Sequence, residues 1–378
     1  MKKALILGTL TPQADAVRCL KELGWWVIVC GRYPGGPGFA VADQFEAVPV
    51  NDAGAVEELA RRERVDLVCS VGSDKAMPTV ACVARNLGLR TLVSVETARL
   101  ARDKGLLRGF LDAQGISPIR HRRISSASEA RGWDRFPAMV KPVDSSGQRG
   151  VSRATTLEEL ERGLERALGF SSSGEAIVEE YIEGPEISAN AWVTETSLAF
   201  CAISDRLVVE GVPGGIPRGH RLPSRNCSDA AALEVRALVE RCIRVLGIEN
   251  GPVYFQMKLS PEGPKILEIA PRLDGCHLWR LIRMTYGVDL LEASVRLLAG
   301  EKPHDLNAGG GGVPKNLTFL RSRPGVVFRR RDHPLPQTVD YVDYDYAEGE
   351  VVQPVNGFLE RVGYCIGPAA NEFGEASR

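Results

Sequence analysis

Over the first ninety residues, short apolar runs alternate with stretches whose apolar positions recur at helical spacing. Residues 4–7 form one run, stopped by Gly8. Residues 14–23 have helical spacing, and residues 26–30 form a second run, closed by Gly31. A loop rich in Gly and Pro follows at 33–38. Then come a helix near 53–64, a strand at 67–70, a helix near 77–87 and the short segment 91–93. Strands alternating with helices predict a parallel sheet with crossover connections. Ligands of such sheets sit at the carboxyl ends of strands, which here carry Gly8, Thr9 and Leu10, and Ser73 and Asp74.

The texture changes near residue 94. Residues 95–114 read as one long helix through Arg102, Asp103 and Lys104, stopped by Gly115 with Pro118 beyond it. Thr156 and Glu159 form a capping-box pattern that opens a helix to about 168. Between these helices an apolar strand ends at Lys141, and a polar loop runs from 143 to 151. Beyond Gly184 the pattern is β-rich, over 187–194 and 198–203. Residues 253–259 and 265–270 are alternating strands joined by 260–264, a hairpin that can turn Gln256 and Glu268 to one face. After Gly300 a glycine run at 309–312 precedes short strands near 317–320, 325–329 and 357–366.

Composition removes several function classes. A chain of 378 residues divides into two or three domains. Its 47 Lys and Arg against 48 Asp and Glu leave a net charge of −1, so nothing draws the whole molecule to nucleic acid or an anionic membrane. No apolar run reaches the length of a membrane span. The first apolar run is too short for a signal-peptide core, and the nine cysteines contain no C-x-x-C pair. Free thiols in a cytoplasmic protein are the expectation. The single Gly8 after the first strand, where a dinucleotide fingerprint needs three glycines, disfavours a nicotinamide oxidoreductase.

Three constellations carry candidate chemistry. Lys141 with the loop Ser145, Ser146, Gly147 and Gly150 can wrap a polyphosphate, since small residues admit close backbone approach and Lys adds charge. A solvated hairpin explains the same residues. Glu179, Glu180, Tyr181, Ile182 and Glu186 form an acidic segment able to offer backbone groups to an adenine edge and a carboxylate to ribose; a charged surface turn is the plain alternative. Gln256 and Glu268 offer oxygen ligands across a hairpin, as Mg²⁺ prefers, with Arg272 following; an edge hairpin with outward polar residues is the alternative.

Taken in order, Asp103-Lys104, Val140-Lys141-Pro142 with the loop to Val151, Glu179 to Gly184, and Glu268-Ile269-Ala270-Pro271-Arg272 resemble the motifs of the ATP-grasp ligases, over roughly residues 1–300. The resemblance implies that Lys104 and Lys141 hold the α- and β-phosphates and that Ser145 to Gly150 close over the γ-phosphate. It implies that Glu179, Glu180, Tyr181 and Ile182 form the adenine hinge, Glu180 and Ile182 acting through backbone atoms, and that Glu186 or Glu179 binds ribose. Gln256 and Glu268 are the implied metal ligands, and Arg272 steadies an acyl phosphate. One departure stands out: Ala270 replaces the usual Asn, removing an oxygen that a water or Asp274 would have to supply. The segment Ser204-Asp205-Arg206 with Gly219-His220 and Pro223-Ser224 is similar to the branch of carbamoyl-phosphate-synthase-like proteins and bacterial L-amino-acid ligases. It makes His220 a candidate substrate contact or proton acceptor, and a loop histidine bonded to backbone is its plain alternative. The acidic residue expected just before that His is missing from Ile216, Pro217 and Arg218, and the cationic Arg218 favours an acid without an amino group or with extra negative charge.

The resemblance therefore implies an α/β protein of ATP-grasp architecture: a Rossmann-like parallel domain over 1–93, an ATP-grasp domain over 94–300 with a lid lobe about 124–186, and a β-rich segment over 301–378. It implies an ATP-dependent ligase that joins a small-molecule carboxylate to an amine, using ATP and Mg²⁺ (or Mn²⁺ in its place), as a possible homodimer. A bicarbonate-using carboxylase or carbamoyl-phosphate-type enzyme and a noncatalytic ATP-binding module are the alternatives.

Overall fold

The structure, a computed structural model, describes residues 1–211, 215–302, 306, 312–355 and 359–369. Glycines 309–311 and the start of the strand expected over 357–366 lie outside the described residues.

The first unit alternates as the apolar runs require. It comprises β1 (Lys3–Leu7), α1 (Thr11–Glu22), β2 (Trp26–Cys30), α2 (Pro37–Val41), β3 (Gln44–Glu46), α3 (Ala53–Glu63), β4 (Leu67–Cys69) and α4 (Met77–Leu87). Its four strands are all parallel, in the order β3-β2-β1-β4. Beyond Lys3 at the start of β1 the central strands are apolar, because helices cover both faces. The edge strand β3 and short α2 carry no apolar periodicity, so the pattern gave no sign of either. Segment 91–93 is irregular.

The single helix expected over 95–114 is two, α5 (Val95–Arg102) and α6 (Lys104–Ala113). Asp103 breaks it. Its backbone is extended and its carboxylate accepts the Leu106 N–H at 2.9 Å, so it ends one helix and caps the next. Lys104 thereby becomes the first residue of a helix at a sharp corner.

A lid sheet follows, ordered β5-β8-β6-β7, from β5 (His121–Ile124), β6 (Ala138–Pro142), β7 (Ser152–Ala154) and β8 (Ala176–Glu180). Helix α7 (Leu157–Phe170) covers it. Thr156 caps α7, and Leu160, Leu164 and Ala167 sit on one face against Val140 and Val178.

The largest sheet has eight strands, ordered β13-β12-β9-β10-β11-β14-β16-β15. In chain order its elements are β9 (Glu186–Thr194), β10 (Ser197–Val208), β11 (Pro217–Leu222), α8 (Asp229–Val245), β12 (Gly251–Ser260), β13 (Gly263–Ala270), α9 (Leu278–Tyr286), α10 (Leu290–Leu298), β14 (Lys315–Ser322), β15 (Tyr341–Tyr344) and β16 (Glu360–Pro368). The C-terminal strands extend this sheet, because β14 pairs with β11. In β12 the alternation is explicit. Phe255 and Met257 pack with Val235, Val239 and Ile243 of α8, while Gln256 and Lys258 face a cleft. The cleft runs between this face, the lid and the strand ends of the first sheet.

Candidate active site

The cleft has a volume of about 1570 Å³. That exceeds the roughly 300–1,000 Å³ of a single small-molecule site, so there is room for more than one ligand. Lys104 and Lys141, Ser145 to Gly147, Glu180 to Ile182, Glu186, Gln256, Glu268 and Arg272 all line it. Residues far apart in the chain thus meet around one space.

On the lid side, Lys141 of β6 lies 2.5 Å from the Glu179 carboxylate on β8, because Met139 pairs in register with Glu179. Arg108 of α6 holds the other Glu179 oxygen at 2.7 Å and also donates to the Ile266 carbonyl. Burial would raise the Glu179 carboxyl, but the charges of Lys141 and Arg108 outweigh it and hold it at about 2. Glu179 is only 4% exposed. It is therefore a nearly buried counter-ion in the cleft wall that fixes Lys141, with one oxygen engaged by Arg108 and the other by Lys141.

Lys104 donates its backbone N–H to Val143 and its ammonium to the Ser145 carbonyl at 2.7 Å, tying α6 to the loop. In that loop Gly147 and Gln148 have positive φ and the Ser146 and Gly147 side of the turn is exposed. Gly150 does not line the cleft. It is buried, and a Cβ there would press on Pro142 and Phe170, so its role is packing and the expectation of phosphate contact is corrected.

At the hinge the Glu180 N–H donates to the Arg120 carbonyl and the Tyr181 N–H to that of Pro137. The Glu180 carboxylate accepts the Arg120 N–H at 2.8 Å. The amide of Glu180 is thus committed to the lid. The Ile182 carbonyl accepts the Lys258 ammonium at 2.9 Å and retains a second lone pair. Lys258 and Arg153 flank the Tyr181 ring at 4.3 Å and 4.5 Å. Gly184, with φ of +117°, lets the hinge cross over the Leu259 carbonyl, where a Cβ would collide.

Gln256 and Glu268 pair directly across the hairpin, beside a bulge. The amide nitrogen of Gln256 donates to Glu186 at 3.0 Å, which leaves its oxygen for another partner; Glu186 also accepts from Arg206 at 2.5 Å. One carboxylate and one amide oxygen fit a single Mg²⁺ that completes its shell from phosphate and water. Among the described residues no group of three or more His, Cys, Asp or Glu could cage a metal. Ala270 is buried and offers no side-chain oxygen. Asp274 commits one oxygen to the Cys276 and Leu278 N–H groups, its other oxygen is buried without a partner, and burial raises its carboxyl.

Arg272 is held by Asp74, at 2.8 Å through its Nε, and by the Leu273 carbonyl. Burial works against its charge, but Asp74 outweighs this and raises it. Asp74 follows β4, so the strand end of the parallel sheet orients an arginine of the other unit. Gly72, with positive φ, permits the close approach to Gly275.

His220 does not reach the cleft. It lies in β11, is 0% exposed, stands 3.3 Å from the Ser204 hydroxyl and packs edge-on against Phe319. Burial, then the Arg206 charge, pushes it down to about 3. A histidine sealed in the sheet cannot exchange a proton with substrate, so the expectation of a proton acceptor or substrate contact is corrected. Arg218 is exposed and lies outside the cleft lining as well. The cations that do face the cleft and were not foreseen are Arg153, Arg206, Lys258, Arg321 and Arg361. Arginines punctuating the apolar strands 198–208 and 315–322 were the signal available for two of them. All nine cysteines are free, five buried and four partly so. Among the described residues no helix is long and apolar enough to cross a membrane.

Comparison with known proteins places residues 134–278 within the ATP-grasp domain family. An uncharacterized protein, y4rH, of Sinorhizobium fredii is 26% identical over 324 residues, covering 80% of this chain and 65% of that one. Carnosine synthase 1 of Gallus gallus is 33% identical over 165 residues, 43% of this chain and 18% of the relative. The chain thus spans less than two thirds of the length of these curated relatives. An L-amino acid ligase from Bacillus licheniformis has the same fold, with a TM-score of 0.80 at 17% identity over 97% of this chain and 93% of that one.

Proposed function

We propose, from the premise that residues 134–278 form an ATP-grasp domain, that this chain is an ATP-dependent ligase joining a carboxylate to an amine through an acyl phosphate, with release of ADP and phosphate. The observation that carries the reading is the convergence of Lys104, Lys141, the Gln256–Glu268 pair and Arg272 on one cleft. Lys104 and Lys141 both line the cleft, Lys104 tied to the 145–149 loop and Lys141 to Glu179, and would neutralise phosphate charge. Gln256 and Glu268 would hold Mg²⁺, which supplies charge neutralisation on the transferring phosphoryl group. Ile182 would meet the adenine edge through its carbonyl, with Tyr181 beside it. Arg272, aimed by Asp74, would hold the acid while its carboxylate oxygen attacks the γ-phosphorus and the bond to ADP breaks. It would then stabilise the oxyanion formed as the amine adds and phosphate leaves. The lid and the 145–149 loop would exclude water, which otherwise hydrolyses an acyl phosphate.

The test is phosphate release with Mg²⁺ and ATP from a panel of carboxylates against amines. Turnover that needs both partners supports ligation. The Arg272→Ala variant is expected to lose about 10²–10³ in kcat with ATP affinity retained, and near-native rates would remove Arg272 from the chemistry. Ala270 favours a second reading, a module that binds ATP without turnover; ATP binding with no ADP from any pair would select it.

A further inference from the structure

Beyond the nucleotide half, the cleft continues over strands β10, β14 and β16, where three guanidinium groups meet. Arg206, Arg321 and Arg361 all line the cavity, and the charge of each acts on the buried Cys276 thiol. Arg321 and Arg361 also stand over the Phe319 ring, at 5.6 Å and 5.8 Å. Two of the three have fixed counter-ions. Arg206 pairs with Glu186 at 2.5 Å and Arg361 with Asp345 at 2.8 Å. Arg321 has no carboxylate at ion-pair distance among the described residues, although the charge of Glu360 acts on it. It donates to the Leu359 carbonyl at 2.9 Å and to that of Pro217, and its Nε is buried without a partner. Glu360, in the same region, pairs in register with Ser322 and gives its carboxylate to the Val355 N–H.

We infer that Arg321, flanked by Arg206 and Arg361, forms a subsite for an anionic group, a carboxylate or a phosphate, carried by a substrate in addition to the groups that react. That this ligand is a substrate rests on the ligase reading above. A brace between two strands would explain the backbone bonds of Arg321, but not why three like charges are gathered in a cleft. Burial, with the charges of Arg361 and Arg206, outweighs the opposing influence of Cys276 and Glu360 and pulls Arg321 down to about 10. An incoming anion opposes that shift and can accept the terminal N–H groups that Arg321 keeps beside its two backbone bonds, in the planar geometry that favours guanidinium over ammonium. The cleft is long enough in volume for nucleotide and a second ligand together. The preference for extra negative charge that the sequence attached to Arg218 belongs instead to these three residues.

The experiment is calorimetric titration of inorganic phosphate, succinate and the neutral butyramide into wild-type protein and the Arg321→Gln and Arg321→Lys variants, each with a nonhydrolysable ATP analogue and Mg²⁺ present. Thermal unfolding is recorded alongside. Phosphate or succinate is expected to bind wild type at least about tenfold more tightly than butyramide, the contribution of one charge-assisted pair. The tighter of the two anions identifies the group. Arg321→Gln is expected to lose about tenfold, and Arg321→Lys, which keeps the charge but not the planar fork, to lose less than Arg321→Gln even if its unfolding temperature falls by the same amount. Equal binding of anions by wild type and Arg321→Gln, equal binding of butyramide, or no anion binding overturns the subsite. Failure of the ATP analogue to bind sinks the ligase reading separately, since the anion titrations are then repeated without it and still decide this one.

Discussion

At Glu179 burial and pairing pull in opposite directions, and pairing wins. The carboxyl sits at about 2 in the folded protein against an ordinary 4.5, so its contribution is fully present above pH 4.5 and is lost as pH falls toward 2. The gap corresponds to about 3 kcal/mol, the scale of breaking a buried pair from one side. Glu179→Gln is accordingly expected to cost about 3 kcal/mol in urea unfolding at pH 7, and a loss below about 1 kcal/mol would show that Lys141 and Arg108 do not depend on it. His220 gives a separate acid signature. Its folded value near 3 lies below the ordinary 6.5, so the unfolded chain takes up a proton first, and stability falls from pH 6.5 downward. Between pH 6.5 and 5 that amounts to about 2 kcal/mol. His220→Gln should flatten the urea midpoint across this window, whatever it does at pH 7; an unchanged slope would contradict the buried neutral ring. At this scale the sequence was legible where a motif named a residue type and illegible where burial reassigned it. Lys104, Lys141, Gln256, Glu268 and Arg272 reach the cleft, whereas His220 is sealed in the sheet, and nothing in its neighbours' hydropathy marks that difference.

Among the elements, two positions show what the local pattern hides. Asp103 lies within a continuous amphipathic stretch, and periodicity alone carries a helix straight through it. Its carboxylate instead caps α6 and pairs with Arg123, which turns Lys104 toward the loop. Asp103→Ala is expected to cost about 1 kcal/mol by thermal unfolding and to weaken ATP binding through Lys104; a helix that simply runs on would leave both unchanged. Gly184 holds the hinge against Leu259 with a backbone only glycine adopts freely. Gly184→Ala should lower ATP affinity by about tenfold or more, read by equilibrium binding, with the parallel sheet unaffected. Strand β3 and helix α2 escaped notice because they are short and half-exposed. The Gln256–Glu268 register was readable because alternation in both strands left one consistent pairing.

For the whole molecule, three sheets from one chain enclose one space, and that enclosure is what the sequence conveyed least. Alternating strands and helices pointed to the parallel unit, and the β-rich texture to the rest. Only the structure joins β14 to β11 and so brings Arg321 and Arg361 within reach of Arg206. A ligand clamped by several units should stabilise them jointly. Saturating ATP with Mg²⁺, at about a hundred times its Kd, is expected to add about 2.7 kcal/mol to unfolding. Lys141→Ala should lose most of that gain at the same nucleotide concentration, and an unchanged gain would locate the nucleotide elsewhere. The central claim is that the terminal phosphoryl group passes to the substrate's carboxylate within this cleft. The most direct measurement uses the active acid from the panel with both carboxylate oxygens replaced by ¹⁸O, and mass analysis of the phosphate released during amide formation. One ¹⁸O atom in each phosphate is the predicted result. Unlabelled phosphate, with both heavy oxygens kept in the acid or its product, would contradict it.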